Sequence, residues 1–417
     1  MAPLDPAALR ARFSSVGVTG TNGKTSTTSW VARAIAAALG PCLRVTTLGA
    51  AIVDEVGAQE LEVPRTIGGF FEALERAAAR GSAHAAIECT SESLAAGFAR
   101  GWPVDVAAFT NLTHDHLDAH GSPEHYLASK AQLFLHLPEG GVAVLDGCDP
   151  AGALLAEVVP RHARIVRYGS STRGAAVGAL ELEAGDVRVG REGTRCSLLG
   201  RGPFAEVPSS LAIRAHGAIF VENALAALAA AVSVGVPVRR AIEAIEGAPP
   251  PRGRFEIVND RPCVVVDYAH TPDALERTLA TARALAGERV LVVFGAGGAR
   301  DRHKRPALGR AASVADLVVV TSDNPRDEEP AAIAAEVRAG LSERVRAVTE
   351  LDRAAAIALA LSEARPADVV VIAGKGHERT QIAAGVERPF DDVEVVRRFY
   401  GTSSRSAVPS PCLSRTS

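Results

Sequence analysis

The stretch Gly17-Val18-Thr19-Gly20-Thr21-Asn22-Gly23-Lys24-Thr25 carries the plainest chemical signature in this chain. Gly20 and Gly23 let the backbone turn tightly and approach phosphates, while successive N–H groups at a helix start supply positive potential. Lys24 has the reach for β/γ-phosphates, and the Thr25 hydroxyl suits Mg²⁺. The strict phosphate-loop pattern asks for glycine where Val18 stands, so this is the shorter Gly-Thr-Asn-Gly-Lys-Thr form, continued by Ser26. It implies binding of a nucleoside triphosphate. Other groups able to do chemistry are Glu88 at the end of an apolar run, His116 beside His114 and His120, Lys130 in a Tyr-x-x-x-Lys frame, and Arg326 in a charged turn. Each also has a plain reading. Glu88 could be an exposed strand-end charge, His116 a solvated loop histidine, Lys130 a surface lysine, and Arg326 a partner of Asp327 or Glu328.

A phosphate loop needs a buried strand that hands over to a helix. Ser14–Thr19 reads as that strand and Thr25–Leu39 as the alanine-rich helix. A strand at Leu43–Thr47, an irregular stretch to Thr66, a helix at Gly69–Arg80 and strands at Ala83–Cys89 and Val104–Thr110 follow. Strands alternating with helices argue for a parallel, doubly wound sheet whose ligands sit at the carboxyl ends of the strands. Leu180–Leu199 breaks the rhythm by alternating apolar and polar residues, and reads as a small antiparallel meander. Val221–Val234 reads as a closing helix, and Pro249-Pro250-Pro251 as a boundary. Strands at Val264–Tyr268, Arg289–Phe294, Leu317–Thr321 and Val369–Ala373 then restart the βα rhythm. The fold class is therefore α/β: a phosphate-loop domain with a doubly wound sheet and meander over 1–248, then a Rossmann-like α/β domain over 252–401. Residues 402–417, rich in Ser and Pro, read as a disordered tail.

Composition narrows the function. At 417 residues the chain exceeds one ordinary core. A formal charge of −3 without a polybasic block argues against nucleic acid as the main partner. Its six cysteines form no Cys-x-x-Cys pair and read as reduced thiols. No apolar run reaches the roughly 18–20 residues that span a bilayer, and the start lacks a signal-peptide pattern. The expectation is a soluble, cytoplasmic protein.

Several motifs fall together. The phosphate loop is followed by Thr110-Asn111-Leu112-Thr113-His114-Asp115-His116, Tyr126-Leu127-Ala128-Ser129-Lys130 and Gly253-Arg254-Phe255-Glu256. Asp267-Tyr268-Ala269-His270-Thr271-Pro272, Asp301-Arg302-His303-Lys304-Arg305-Pro306, Asp323-Asn324-Pro325-Arg326 and Gly374-Lys375-Gly376-His377-Glu378 complete the set. In this order they resemble the Mur ligase superfamily, and within it the MurE branch, which adds the third amino acid to UDP-N-acetylmuramoyl-dipeptide. The resemblance spans about residues 14–400.

The resemblance implies an ATP-dependent, Mg²⁺-dependent amide ligase of the peptidoglycan-precursor pathway. Amide formation from a carboxylate is uphill, so ATP first makes an acyl phosphate that an amine then attacks. Such phosphoryl transfer asks mainly for charge neutralisation and positioning. By resemblance, Lys24 and a Mg²⁺ on Thr25 serve the phosphates, Glu88 binds metal, and His116 binds a second Mg²⁺. Lys130 matches a lysine that the family carbamylates to face that metal. Gly20–Ser26, Asn111, Asn223, Arg254, Asp267 and His270 would contact ATP. Asp323, Asn324, Pro325 and Arg326, with Arg300, Gly374 and Glu378, would hold the incoming amino acid, Arg326 clamping the distal carboxylate of meso-diaminopimelate.

The acceptor side departs from the pattern. Relatives carry roughly a hundred residues that grip the UDP group, whereas about thirteen residues precede the loop strand here. Arg65-Thr66-Ile67 replaces a substrate Thr-Thr-Pro, Phe98 replaces a substrate arginine, and Ile219-Phe220 replaces the Phe-Asn ahead of Asn223. The expectation is that a protein partner supplies the missing grip, or that the acceptor is another carboxylate in a specialised or recycling pathway. A nucleotide-binding pseudoenzyme and a phosphate-loop kinase are the other readings. Lys24, Glu88, His116 and Lys130 together argue against the first, and the motifs beyond residue 252 against the second.

Overall fold

In the computed structural model, which describes residues 6–113 and 121–403, the chain divides into two units, Met1–Pro251 and Arg252–Ser417. The first begins with β1 (Ser14–Thr19), β2 (Cys42–Thr46), β3 (Gly49–Val53), β4 (Ala58–Leu61), β5 (His84–Glu88) and β6 (Val106–Phe109). It continues with β7 (Val142–Asp146), β8 (Arg164–Ser170), β9 (Leu182–Gly190), β10 (Gly193–Gly200) and β11 (Ser210–Ile213). Among the described residues these form one sheet, ordered β11-β10-β9-β8-β7-β6-β1-β5-β2-β3-β4. Pairing is parallel from β2 across to β9. It is antiparallel at both margins. The central strands are buried almost throughout, as parallel strands covered on both faces must be.

The chain leaves β1 toward β5 and β2 and later reaches β6 on the other side of β1. Such a reversal opens a crevice at the carboxyl ends of the strands, where open parallel sheets take ligands. The helix Lys24–Leu39 starts there and buries Trp30, Val31 and Ile35. The almost wholly buried helix Ala218–Ser233 packs against it, with Trp30 and Phe220 rings 6.2 Å apart. Burying one such large apolar side chain contributes about 1.5–3 kcal/mol.

Two stretches differ from the sequence expectation. The segment read as irregular up to Thr66 contains β3 and β4, joined by a turn in which Asp54 Oδ1 accepts from Val56 and Gly57 N–H at 2.9 Å each. These strands are too short for period-two alternation to show. The expected antiparallel meander is present at β9 and β10, but it gains β11 and continues the main sheet, β9 pairing parallel with β8, Tyr168 opposite Leu182.

The second unit has β12 (Glu256–Asp260), β13 (Cys263–Asp267), β14 (Val290–Phe294), β15 (Leu317–Val320), β16 (Arg346–Thr349) and β17 (Val369–Ala373), ordered β12-β13-β17-β14-β15-β16. β13, β14, β15 and β17 are runs of Val, Leu and Ile, parallel and buried. The polar edge strands β12 and β16, and a hairpin of β18 (Thr380–Ala383) and β19 (Val386–Pro389), gave no sequence signal. The helix Asp392–Ser403 runs past residue 402, and the tail beyond it lies outside the described residues. No described helix is long and apolar enough to cross a membrane.

Candidate active site

The loop from Gly20 to Lys24 follows β1, and the helix it enters has no side-chain cap. A helix start of this kind suits an anionic ligand. Gly23 sits at φ 85°, and a Cβ there would collide with the Asn223 amide oxygen, which is buried and has no hydrogen-bond partner among the described residues. A Cβ at Gly20 would collide with Thr110 Oγ1. Both glycines are thus required by close approach of β6 and of the helix Ala218–Ser233. The segment after β6 braces the loop. Asn111 Oδ1 accepts from Asn22 N–H at 2.9 Å, while Asn111 Nδ2 and Thr110 Oγ1 donate to Asn22 O at 3.1 and 2.6 Å. The Lys24 ammonium folds back onto Gly20 O and Thr21 O at 3.1 and 2.8 Å. Ser26 is buried on the helix.

Thr25 Oγ1 donates to Glu88 Oε2 at 2.9 Å, and Thr47 N–H donates to the same oxygen at 3.2 Å. β1 and β5 therefore bring together two hard oxygen ligands, a donor set that suits Mg²⁺. Among the described residues no three His, Cys, Asp or Glu side chains form a metal cage, so further ligands would come from phosphate, water or undescribed residues. His116 lies outside the described residues. The helix Pro123–Leu135 carries Tyr126 and Lys130 one turn apart. Lys130 is buried, its ammonium donating to Gly20 O at 2.9 Å and lying 4.0 Å from the Tyr126 ring centre. Tyr126 OH in turn reaches Thr21 Oγ1 at 3.3 Å.

Behind the loop lies a charged cluster that sequence reading missed. Arg173 contacts Asp146 Oδ2 at 3.5 Å, Asp149 Oδ2 at 2.8 Å and Glu222 Oε2 at 3.2 Å, all three carboxylates being buried. Asp149 also accepts from Leu112 N–H at 2.9 Å, next to Asn111, while Glu222 precedes Asn223. One guanidinium thus ties β7, the segment after β6 and the helix Ala218–Ser233. Burial pushes the Asp146 carboxyl up to about 7, against the pull of Arg173. These residues are far apart in sequence and match no motif, so no local pattern marks them.

In the second unit Asp267 ends β13. Its oxygens accept from Phe255 N–H at 2.6 Å, Ala269 N–H at 2.9 Å and Thr278 Oγ1 at 3.0 Å, so the carboxylate holds its own loop. Burial nevertheless pushes this carboxyl up from its ordinary range. Arg254 lies 4.4 Å over the Tyr268 ring, and the His270 and His377 rings flank the same tyrosine at 4.6 and 4.8 Å. His270 Nδ1 donates to Tyr268 O at 2.9 Å.

The Asp323–Arg326 loop follows β15 and meets the Gly374–Glu378 loop after β17. Asp323 and Asn324 are buried, and Gly374 packs on the Asp323 carboxylate. Asn324 Nδ2 donates to Glu378 Oε2 at 2.8 Å. Pro325 packs its carbonyl against Gly298. Arg326 holds a left-handed φ of 53°, costly for a non-glycine residue. Backbone bonds to Ile382 and Ala384 of the hairpin fix it there, and its Nη1 donates to Gly298 O at 2.7 Å. Arg326 makes no ion pair among the described residues. Glu328, its expected plain partner, binds the buried Arg305 at 2.9 and 2.8 Å, which holds the Glu328 carboxyl down at about 2. Arg300 is exposed beside Gly297, and the half-buried Arg326 brings its Nη1 to the same glycine.

The model of the Mur ligase middle domain matches residues 18–231, and that of the Mur ligase glutamate ligase domain matches residues 253–376. A UDP-N-acetylmuramoyl-L-alanyl-D-glutamate–2,6-diaminopimelate ligase of Ralstonia nicotianae is 42% identical over 402 residues, 94% of this chain and 76% of that protein. A solved structure of a ligase with the same name is 32% identical with a TM-score of 0.64, covering 94% of this chain and 79% of that one. MurF ligase from Thermotoga maritima in complex with ADP shares the fold at 18% identity, with a TM-score of 0.68 over 96% of this chain and 84% of that one.

Proposed function

The chain belongs to the Mur ligase family, and from that premise we propose that it is an ATP-dependent ligase activating a carboxylate as an acyl phosphate and joining it to meso-diaminopimelate. The acceptor in this reading is the muramyl dipeptide nucleotide of peptidoglycan precursor synthesis, and the reaction is cytoplasmic. The observation that carries the amino-acid choice is Arg326, which has no acidic partner among the described residues and lies in one loop with Asn324, itself bonded to Glu378. A guanidinium and a carboxylate so arranged suit an end group bearing both a carboxylate and an ammonium.

On the phosphate side, the loop N–H groups and Lys24 would bind the β/γ-phosphates, Lys24 exchanging its carbonyl partners for phosphate oxygens. Thr25 and Glu88 would hold Mg²⁺, which supplies charge neutralisation to the transferring phosphoryl group. Asn111 and Asn223 act through the loop, the first by bracing Asn22 and the second by packing under Gly23. Arg254, stacked on Tyr268, and His270 would meet the nucleotide, and Asp267 fixes the turn that presents them. Lys130 would take up CO₂ on a neutral Nζ, releasing a proton and becoming an anion beside the loop.

The test is ADP release over a matrix of amino acids and acceptors, with the product weighed by mass spectrometry. Release that requires diaminopimelate and UDP-N-acetylmuramoyl-L-alanyl-D-glutamate supports the reading. Release with a different acid and no response to the nucleotide acceptor would instead establish a ligase of another pathway.

A further inference from the structure

Lys375 belongs to no substrate contact assigned above, yet it is a fully buried cation. Its ammonium donates to Asn324 Oδ1 at 3.1 Å and to Glu378 Oε2 at 2.9 Å. Asn324 Oδ1 also accepts from Ile382 N–H at 3.0 Å. With two donors on Oδ1, the amide must turn its Nδ2 to Glu378, where the 2.8 Å bond is found. Glu378 Oε2 therefore carries two donors. Among the described residues Oε1 makes no hydrogen bond, and the side chain is 32% exposed. A buried ammonium without an anion would be costly, so Lys375 holds Glu378 by Oε2 and leaves Oε1 for another partner.

We propose that Lys375 is the positioning residue that sets amino-acid specificity in this loop cluster. This rests on the reading that the cluster receives the distal end of diaminopimelate. Three cations, Arg300, Arg326 and Lys375, stand in or beside these loops with two carboxylates, Asp323 and Glu378, while the neighbouring Arg353 is already neutralised by Asp392. A distal group with both ammonium and carboxylate adds no net charge to that balance and finds Glu378 Oε1 and Arg326 together. The side chain of lysine brings a lone ammonium into a region already one cation in excess. Removing the charge of Lys375 levels the balance, so a lone ammonium is tolerated, and loosens the orientation of Glu378 on which the paired end group depends, so the discrimination against lysine should fall.

The experiment measures kcat and KM for diaminopimelate and for L-lysine, with UDP-N-acetylmuramoyl-L-alanyl-D-glutamate as acceptor, in wild type, Lys375→Met and Lys375→Gln. Glutamine keeps a donor for Asn324 and Glu378 but loses the charge, and guards against a methionine variant that does not fold. In the folded variants KM for diaminopimelate should rise roughly tenfold or more, the scale of one lost charge-assisted hydrogen bond. KM for ATP should hold, and the lysine-to-diaminopimelate ratio of kcat/KM should rise by about the same factor. An equal loss for both amino acids, or no loss, overturns the proposal while leaving the functional reading intact. A wild type that turns over neither amino acid overturns both.

Discussion

Asp146 offers a test of the cluster behind the phosphate loop that needs no substrate. Its carboxyl is fully buried, and burial raises its pKa from 3.8 to about 7. In the unfolded chain an aspartate titrates near its ordinary value, about 3.9. Between roughly pH 4 and 7 the native state therefore holds a proton that the unfolded state has released. Stability from this group is complete below about pH 4, falls as pH rises through that window, and levels off above about 7. Three pKa units at 1.36 kcal/mol each set a ceiling of about 4 kcal/mol. Asp146→Asn mimics the protonated form and keeps an oxygen for the Cys148 N–H now bonded at 2.8 Å. The variant should match wild type near pH 4 and exceed it above about pH 7, by an amount up to that ceiling. Calorimetric melting across this range checks it through the gap between the two midpoints, which should widen with pH and then plateau. A gap constant in pH, or a variant less stable at high pH, would refute the assignment of a proton to Asp146.

Other substitutions separate the parts of the site. Gly23→Ala would drive a methyl group into the Asn223 amide at a left-handed φ of 85°, so nucleotide affinity, read with a fluorescent ATP analogue, should fall at least about tenfold; unchanged affinity sinks the close-approach argument. Lys130→Ala should abolish most ligation while ATP binding persists, and added short carboxylates should restore part of the rate; a fully active variant removes the carbamate from the reading. Arg326→Ala should raise KM for diaminopimelate more than tenfold, since breaking a bidentate charged contact costs about 2–5 kcal/mol; a wild type that prefers lysine contradicts the clamp itself.

Much of this architecture is local in origin and hence legible in sequence. The phosphate loop declares itself because turn, lysine and hydroxyl lie within a few residues, and β1 and the helix after it are read from their apolar patterns. The runs at β13, β14, β15 and β17 are legible for the same reason. The edge strands are not. β4 and β16 are short and polar, held by their neighbours more than by their own residues. The site is legible by residue but not by partner. Asn223 was singled out on a motif, yet its contact with Gly23 depends on two helices packing nearly two hundred residues apart. Lys375 lies within a motif, but nothing in the spacing says that its ammonium is shared by Asn324 and Glu378. Thr47 and Arg173 carry no signal at all, because their importance comes from where strand ends converge.

Both units use an arginine turned largely inward to hold those strand ends. Arg173 gathers Asp146, Asp149 and Glu222 in the first. In the second, Arg353 binds Asp392 through two 2.8 Å bonds and also donates to Ala373 O and Ser322 O, the residues just before the Gly374 and Asp323 loops. Arg305 binds Glu328, Glu336 and Gly297 O, reaching the loop that Arg326 contacts. A lysine could not replace these, since only the planar five-donor fork satisfies carboxylates and carbonyls in several directions at once. Where both partners are ionised, such pairs add little net stability, because desolvating both charges offsets their attraction, yet removing one partner costs about 3–5 kcal/mol; Asp146, which burial keeps protonated up to about pH 7, is not such a partner. Their value therefore lies in geometry. Arg353 makes the positions of the Asp323 and Gly374 loops depend on one rigid group, so Asn324, Lys375 and Glu378 meet at hydrogen-bond distance although 54 residues separate the first from the last.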